Sequence, residues 1–217
     1  MLKQMGDIRN PNSLSARMRS RRFAFFRQLV DELPRPLTIL DVGGESVFWQ
    51  REGFDGEPGI SFTLLNLGKP ANLPANFTFV AGDARNMPYF ADDQFDIVFS
   101  NSTIEHVGDF SDQARMASEV QRVGKRYFVQ TPNYYFPIEP HFLFPFFQFL
   151  PIPTRVWLLQ NFSFSRMGKV TDRKRALRLV EEIRLLTESE MLTLFPGAEI
   201  YRERLAGLVK SIIAYKF

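Results

Sequence analysis

The chain predicts an α/β fold, a mostly parallel seven-stranded sheet with helices on both faces and an antiparallel strand pair at its C-terminal end. Three observations carry that expectation. Short apolar segments near 37–42, 61–66, 77–81, 95–100 and 126–130 each end in polar, glycine or proline residues, and helical segments separate several of them. Strands separated by helices imply parallel pairing. Thr38-Ile-Leu-Asp-Val-Gly-Gly-Glu-Ser46 runs from an apolar strand through a paired-glycine turn into a segment that can open a helix. Near the end, Ala198 to Leu205 and Leu208 to Tyr215 flank the short Ala206-Gly207 turn, which joins antiparallel strands.

Residues 1–12 are polar, carry Asn10-Pro11 and read as a loose arm. Ser13 or Ser15 can cap a helix reaching about Glu32, with Leu14, Met18, Phe25, Phe26, Leu29 and Val30 roughly on one face. Arg17, Arg19, Arg21 and Arg22 fall elsewhere on it, and Pro34 and Pro36 end it. A helix near 111–123 carries Ala114, Met116, Ala117 and Val120. Leu177, Val180, Ile183 and Leu186 mark a helix over 173–186, and Thr187-Glu-Ser-Glu190 matches a capping box for a further short helix. Residues 1–217 read as one domain, with 134–172 as a cap-like insertion.

The strand ends carry the functional signal. Glycines in the first turn let backbone approach a ligand, and a helix N-terminus offers free N–H groups. The second strand ends at Asn66-Leu67, 25 positions after Asp41. The third ends in Gly82-Asp83-Ala84 and the fourth in Ser100-Asn101-Ser102, followed by Thr103-Ile-Glu-His106. Ligands of open α/β sheets bind at the carboxyl ends of the strands. The four segments together predict a nucleotide-like ligand.

On these residues the chain resembles the class I S-adenosylmethionine-dependent methyltransferases, most closely the small-molecule type 11 group. Asp41, Gly43 and Gly44 match the glycine-rich motif, Asn66 the ribose position, Asp83 and Ala84 the adenine position, and Ser100 to His106 the motif after the fourth strand. The likeness covers roughly residues 14–134. It implies a Rossmann-like sheet, S-adenosylmethionine as cofactor (S-adenosylhomocysteine as product), and methyl transfer to a small or lipid-like acceptor, with oxygen as the expected acceptor atom. The cofactor-binding candidates are Asp41, Gly43, Gly44, Glu45, Asn66, Leu67, Asp83, Ala84 and Asn101. Two departures stand out. Glu45 and Val47 replace further glycines common in the family, and Asn66 stands where an acid is usual, without a carboxylate's charge-assisted hydrogen bond. Glu45 is a candidate for the aminoacyl end of the cofactor. A relative that binds without turnover, and an RNA methyltransferase using the basic first helix, are the alternatives. The Asn/Asp-Pro-Pro-aromatic motif of many exocyclic-amine methyltransferases is missing from 100–103, so nucleic acid is not the expected partner.

Tyr134 to Pro153 holds five of the chain's fourteen prolines and six of its twenty-three phenylalanines. In the resembled fold an insertion here often caps the substrate site. This composition implies an apolar, aromatic pocket whose few polar groups include Glu139, His141 and Gln148. Contact of the Phe-rich segment with a membrane periphery is the minor alternative to buried cap aromatics. The two histidines, His106 and His141, fall at the expected mouth of the site. A neutral imidazole can take a proton from a hydroxyl acceptor. His106, His141 and Glu139 are therefore the catalytic candidates, expected to share one cavity. Glu105-His106 resembles the Glu-His pair of metal-dependent quinone-pathway methyltransferases, but Ser102 stands where that group has a further glutamate. Two possible ligands are too few, and no metal is expected.

Composition sets the remaining bounds. The chain has no cysteine, which suits a reducing, cytoplasmic setting, and a formal net charge of +3, which demands no polyanionic partner. The first residues lack the apolar core of a signal peptide, and no stretch is long and apolar enough to cross a bilayer. Oligomeric state is not legible in the sequence.

Overall fold

The computed structural model describes residues 14–68, 73–163 and 168–217. The expected arm at 1–12 and the candidate cap Ser13 lie outside them. Ser15 falls inside the first helix, α1 (Leu14–Asp31), and does not precede it.

Seven strands form one sheet: β1 (Leu37–Val42), β2 (Ile60–Asn66), β3 (Phe77–Ala81), β4 (Ile97–Asn101), β5 (Tyr127–Pro132), β8 (Glu199–Leu205) and β9 (Leu208–Lys216). Their order across the sheet is β3-β2-β1-β4-β5-β9-β8. The first five pair in parallel, while β9 is antiparallel to both β5 and β8. Successive strands are added in one direction from β1 through β2 to β3 and in the other from β4 to β5, so the winding order reverses at the β1–β4 pair. That is the switch point of an open sheet, where a crevice forms at the strand ends.

Alternation along the strands builds two cores. Ile39 of β1 and Ile97 and Phe99 of β4 face one side; Leu40, Val42 and Val98 face the other. The first side is aromatic: Phe23 and Phe26 of α1 pack with Trp49, Phe54, Phe62, Phe99 and Phe128. Much of the chain's phenylalanine therefore stabilises this layer as well as the cap. The second side is aliphatic, built from α3 (Phe110–Val123) through Met116, Ala117 and Val120 against Val98, Val129 and Ile212. Asp109 caps α3 and Asp112 returns the bond, a capping box.

The arginines of the first helix divide, with Arg17 and Arg21 exposed and Arg19 half-buried. Arg22 is buried and forms an ion pair with Glu203 at 2.6 Å, a second bond to Glu203 at 3.0 Å and a bond to Gln130 at 2.8 Å. It also binds the Asn101 side chain.

The insertion after β5 is a small layer of its own. The hairpin β6 (Ile138–Glu139) and β7 (Phe144–Pro145) leads to α4 (Ile152–Asn161) and then α5 (Arg173–Glu181). Phe142, Phe147, Val156, Leu159, Val170, Ala176 and Val180 form its core. Its aromatics divide: Phe142 and Phe147 are buried, while Tyr135, Phe146, Phe149, Trp157 and Phe162 are exposed. The helix expected over 173–186 stops at Glu181. Beyond it the backbone is claimed elsewhere, with Arg184 N–H donating to Glu105 O and Tyr134 N–H to Leu186 O. The Thr187 capping box opens α6 (Glu188–Leu194) as expected. No helix among the described residues is long and apolar enough to cross a membrane.

Candidate active site

The glycine turn joins β1 to α2 (Ser46–Arg51) and is braced from beneath. The Asp41 carboxylate is buried and accepts a 2.6 Å bond from Trp49 Nε1. Burial pushes its carboxyl up to about 7, against the lowering effect of the indole bond. Gly43 has φ +79°, and a Cβ there would meet Thr103 Oγ1 at 2.4 Å. The missing side chain thus makes room for Thr103, which bonds Val42 O at 3.1 Å. Gly44 is equally closed, because its Cβ would fall on the Asp41 carboxylate. Both glycines are thus required by the turn's own packing, in addition to any close approach to a ligand.

Two cavities open along the strand ends and share Ser102. The turn cavity, about 530 Å³, is lined by Gly43, Asn66, Leu67, Asp83, Ala84 and His106 among others. The edge cavity, about 510 Å³, is lined by Glu45, Asn101, Gln130, Asn133, His141 and by Arg19, Arg22 and Arg51 among others. A third cavity of about 370 Å³ lies under the cap and is lined by Glu139, Phe142, Phe147, Gln148 and Arg155. Five of the nine cofactor-binding candidates therefore line one cavity. Glu45 and Asn101 line its neighbour, and Asp41 and Gly44 line neither.

Several of these polar groups already have partners. Asn66 Nδ2 donates to Gly44 O at 3.3 Å, and its Oδ1 accepts from Leu67 N–H at 2.8 Å. Asp83 is paired with Arg85 at 2.6 Å, which holds its carboxyl below the ordinary range. Arg85 also reaches Asp112 and Val107 O, tying the β3 end to the start of α3. Leu67 is 84% exposed. Sequence reading missed Arg85, Thr103 and Arg22. Arg85 adjoins Asp83-Ala84 and was in plain view; the partners of Thr103 and Arg22 are 61 to 181 residues away.

The three catalytic candidates do not share one cavity, which corrects that expectation. They form a hydrogen-bonded chain across three. His106 Nε2 faces His141 Nε2 at 3.1 Å, the rings edge to face. His141 Nδ1 lies 2.5 Å from Glu139 Oε1. Glu139 is buried, and its second oxygen accepts the N–H groups of His141 and Phe142 at 2.9 and 2.7 Å. With its Nδ1–H donating to Glu139, neutral His141 has Nε2 as its acceptor nitrogen, and that nitrogen faces His106 Nε2. Crowding against neighbouring atoms and the facing His141 push His106 below the ordinary histidine range, which favours a neutral ring. Glu105, on the turn Ile104–His106, is fully buried, and burial pushes its carboxyl up to about 7. Donor atoms of Glu105, His106 and His141 lie within 4.8 Å of one another. Folding thus brings a third donor to the Glu-His pair that sequence alone counted as too few for a metal.

Comparison with known proteins agrees with this architecture. A methyltransferase-domain family model matches residues 59–127, from the start of β2 into β5. Two uncharacterized proteins of Mycobacterium tuberculosis, from strains CDC 1551 and H37Rv, are 43% identical over 60 residues, 27% of this chain. The match spans 20% of the length of those relatives. Among solved structures, the CurJ carbon methyltransferase aligns with TM-score 0.59 at 11% identity, over 99% of this chain and 60% of its own. A Haloferax volcanii structure of a complex with the Trm112 methyltransferase activator aligns with TM-score 0.51 at 14% identity, over 91% and 90%. A Nostoc punctiforme protein assigned as an O-methyltransferase aligns with TM-score 0.51 at 16% identity, over 94% and 58%. At such identities the structural likeness establishes the fold. The family-model match shows similarity to a methyltransferase domain over residues 59–127, on a sheet that shares its fold with solved methyltransferase structures.

Proposed function

We propose that the chain transfers a methyl group from S-adenosylmethionine to a hydroxyl of a small or lipid-like acceptor. The cofactor's nucleoside would occupy the turn cavity, with Asn66, Leu67, Asp83 and Ala84 around it, and its aminoacyl end would extend past Ser102 toward Glu45 and Asn101. The acceptor would lie in the edge cavity beneath the cap. The observation that carries this reading is that the two cavities share Ser102 as a lining residue, and that the second is also lined by a His141 whose Nδ1 is held by a buried carboxylate. The methyl group is already activated in the cofactor, so the protein's tasks are positioning, exclusion of water and removal of the hydroxyl proton. His141 takes that proton at Nε2. Glu139 fixes the tautomer and stabilises the imidazolium that forms, the role a buried carboxylate plays behind a catalytic histidine. Val47, Phe48, Phe136 and Ile138 line the edge cavity and offer an apolar part of the acceptor a surface, while the exposed cap aromatics Phe146, Phe149, Trp157 and Phe162 lie outside that lining and suit a lipid surface.

Calorimetric titration with S-adenosylmethionine and S-adenosylhomocysteine is the direct test. The reading requires saturable binding of both at one site per chain. Absence of heat and of a thermal shift for either ligand would end it. Binding without turnover on any hydroxyl acceptor would instead mark a methyltransferase fold that has become a binding protein. That second reading is favoured by the prior engagement of Asn66, Asp83 and Asn101 with protein partners.

A further inference from the structure

We propose that His106, His141 and Glu105 form a binding site for one divalent transition-metal ion of the zinc class. Two donor atoms each roughly 2.0–2.1 Å from a zinc ion and 3.1 Å apart subtend an angle of about 100° at the metal. That lies between the octahedral and tetrahedral values. The facing Nε2 atoms are thus already spaced as two ligands of one ion.

The surrounding groups match the requirements of such a site. Glu139 holds Nδ1 of His141, leaving Nε2 as the coordinating atom. A carboxylate behind a ligating histidine is the usual outer-shell partner at metal sites, where it fixes ring orientation and raises ligand basicity. Glu105 is fully buried, and its Oε1 has no hydrogen-bond partner among the described residues, while Oε2 accepts from Thr131 Oγ1 at 3.0 Å. A buried carboxylate oxygen without a donor is costly, and a cation is the group that would satisfy it. One donor atom from each of Glu105, His106 and His141 lies within 4.8 Å of the other two, so with the imidazole nitrogens already spaced, closure on an ion chiefly requires the Glu105 carboxylate to approach by about 1 Å. Two imidazoles and one carboxylate suit zinc, cobalt or nickel better than magnesium or calcium, which prefer all-oxygen shells. Three protein ligands leave a fourth position open to water or another small ligand.

The ligands come from two parts of the fold. Glu105 and His106 lie on the turn after β4, and His141 lies in the cap after β6. An ion there would clamp the cap to the edge of the sheet. It would also occupy the His141 Nε2 lone pair that base catalysis uses, so zinc should suppress base-dependent methyl transfer. That consequence for rate rests on the proposed function, while the binding itself does not.

The test uses the full chain without an affinity tag, titrated with Zn²⁺ alone and with Co²⁺ alone. Calorimetry and elemental analysis should give one ion per chain, and bound Co²⁺ should show visible absorption characteristic of low coordination number. His106→Ala, His141→Ala and Glu105→Gln should each weaken binding at least tenfold, and Glu139→Gln by about 10–100-fold. Nitrogen NMR of the unmodified protein guards against variants that misfold. The chain has only two histidines, and both Nε2 resonances should move and saturate together at one equivalent of zinc. Substoichiometric binding, affinity unchanged by both histidine variants, or movement of only one imidazole would overturn the site. Loss of S-adenosylhomocysteine binding would sink the methyl-transfer reading instead and leave the metal site standing.

Discussion

The Asp41 carboxylate stands where a side chain on Gly44 would have to go. A Cβ on Gly44 would fall 1.5 Å from Asp41 Oδ2. Asp41 cannot retreat freely, because Trp49 Nε1 holds the same oxygen at 2.6 Å inside the aromatic core. Gly44→Ala should therefore destabilise the fold by roughly 1–3 kcal/mol, the usual cost of overpacking a tight interior. Denaturant melts measure it. A variant that melts like the parent would show that the turn can open without disturbing the Asp41–Trp49 pair.

The same carboxyl gives a signed pH dependence. Burial raises its folded pKa from 3.8 to about 7. Between those values the folded chain holds a proton that the unfolded chain has released. This group's contribution to stability therefore falls as pH rises through that window, and levels off above about 7, where both states are ionised. Asp41→Asn keeps an acceptor for the indole and removes the titration. The stability difference, Asn variant minus parent, should grow between pH 5 and 8. A difference independent of pH would mean that Asp41 is ionised throughout.

Asn66 yields a prediction opposite to the one its position suggests in sequence. At a ribose position an acid would be expected to bind more tightly. Here Asn66 Nδ2 donates to Gly44 O, a bond a carboxylate cannot make. Asn66→Asp would set a negative charge against that carbonyl and free the turn. Cofactor affinity should fall by about tenfold, roughly the worth of one hydrogen bond of about 1.4 kcal/mol. Tighter binding by the aspartate variant would show that the ribose contact outweighs the support of the turn.

Arg22 is the buried hub between α1, β4, β5 and β8. Its guanidinium satisfies Glu203, Asn101 and Gln130 at once. Arg22→Ala would leave the Glu203 carboxylate buried without its cation, at a cost of about 3–5 kcal/mol. Adding Glu203→Gln should recover part of that loss in thermal melts. No recovery would mean that the guanidinium's packing and its amide partners, rather than the ion pair, carry the effect.

What sequence made legible follows from the range of the interactions. The strands, the glycine turn, the Thr187 capping box and the antiparallel Leu205–Leu208 corner depend on residues a few positions apart, and local pattern exposes them. The end of α5 at Glu181 was not legible, because it is decided by backbone bonds from Arg184 to Glu105 and from Tyr134 to Leu186. Helical spacing of Ile183 and Leu186 carries no trace of those partners. Arg22 looked like surface charge for the same reason, its anion lying 181 residues away. At the site, residue types were readable and their engagements were not. Asn66, Asp83 and Asn101 stand at the strand ends as expected, yet each is bonded to a protein group. The contact of His106 with His141 joins segments 35 residues apart that no periodicity links.

The His141–Glu139 pair makes the last prediction. If His141 Nε2 takes the acceptor's proton, His141→Ala should lower turnover on the order of 10²–10⁴-fold while leaving S-adenosylmethionine affinity nearly unchanged. Glu139→Gln keeps the shape but replaces the carboxylate that accepts the Nδ1 proton, so the ring loses its tautomer control and the support for its charged form. Its turnover should fall by a smaller factor, and the pH at which activity rises should move down, because an imidazolium without its carboxylate loses its proton more easily. His106→Ala removes the neighbour that crowds Nε2 without removing the base, so it should retain most of the activity. The decisive readout is the pH profile of Glu139→Gln. A turnover loss with no displacement of that profile would assign Glu139 to holding the β6–β7 hairpin through the N–H groups of His141 and Phe142, and the proton would have to leave by another route.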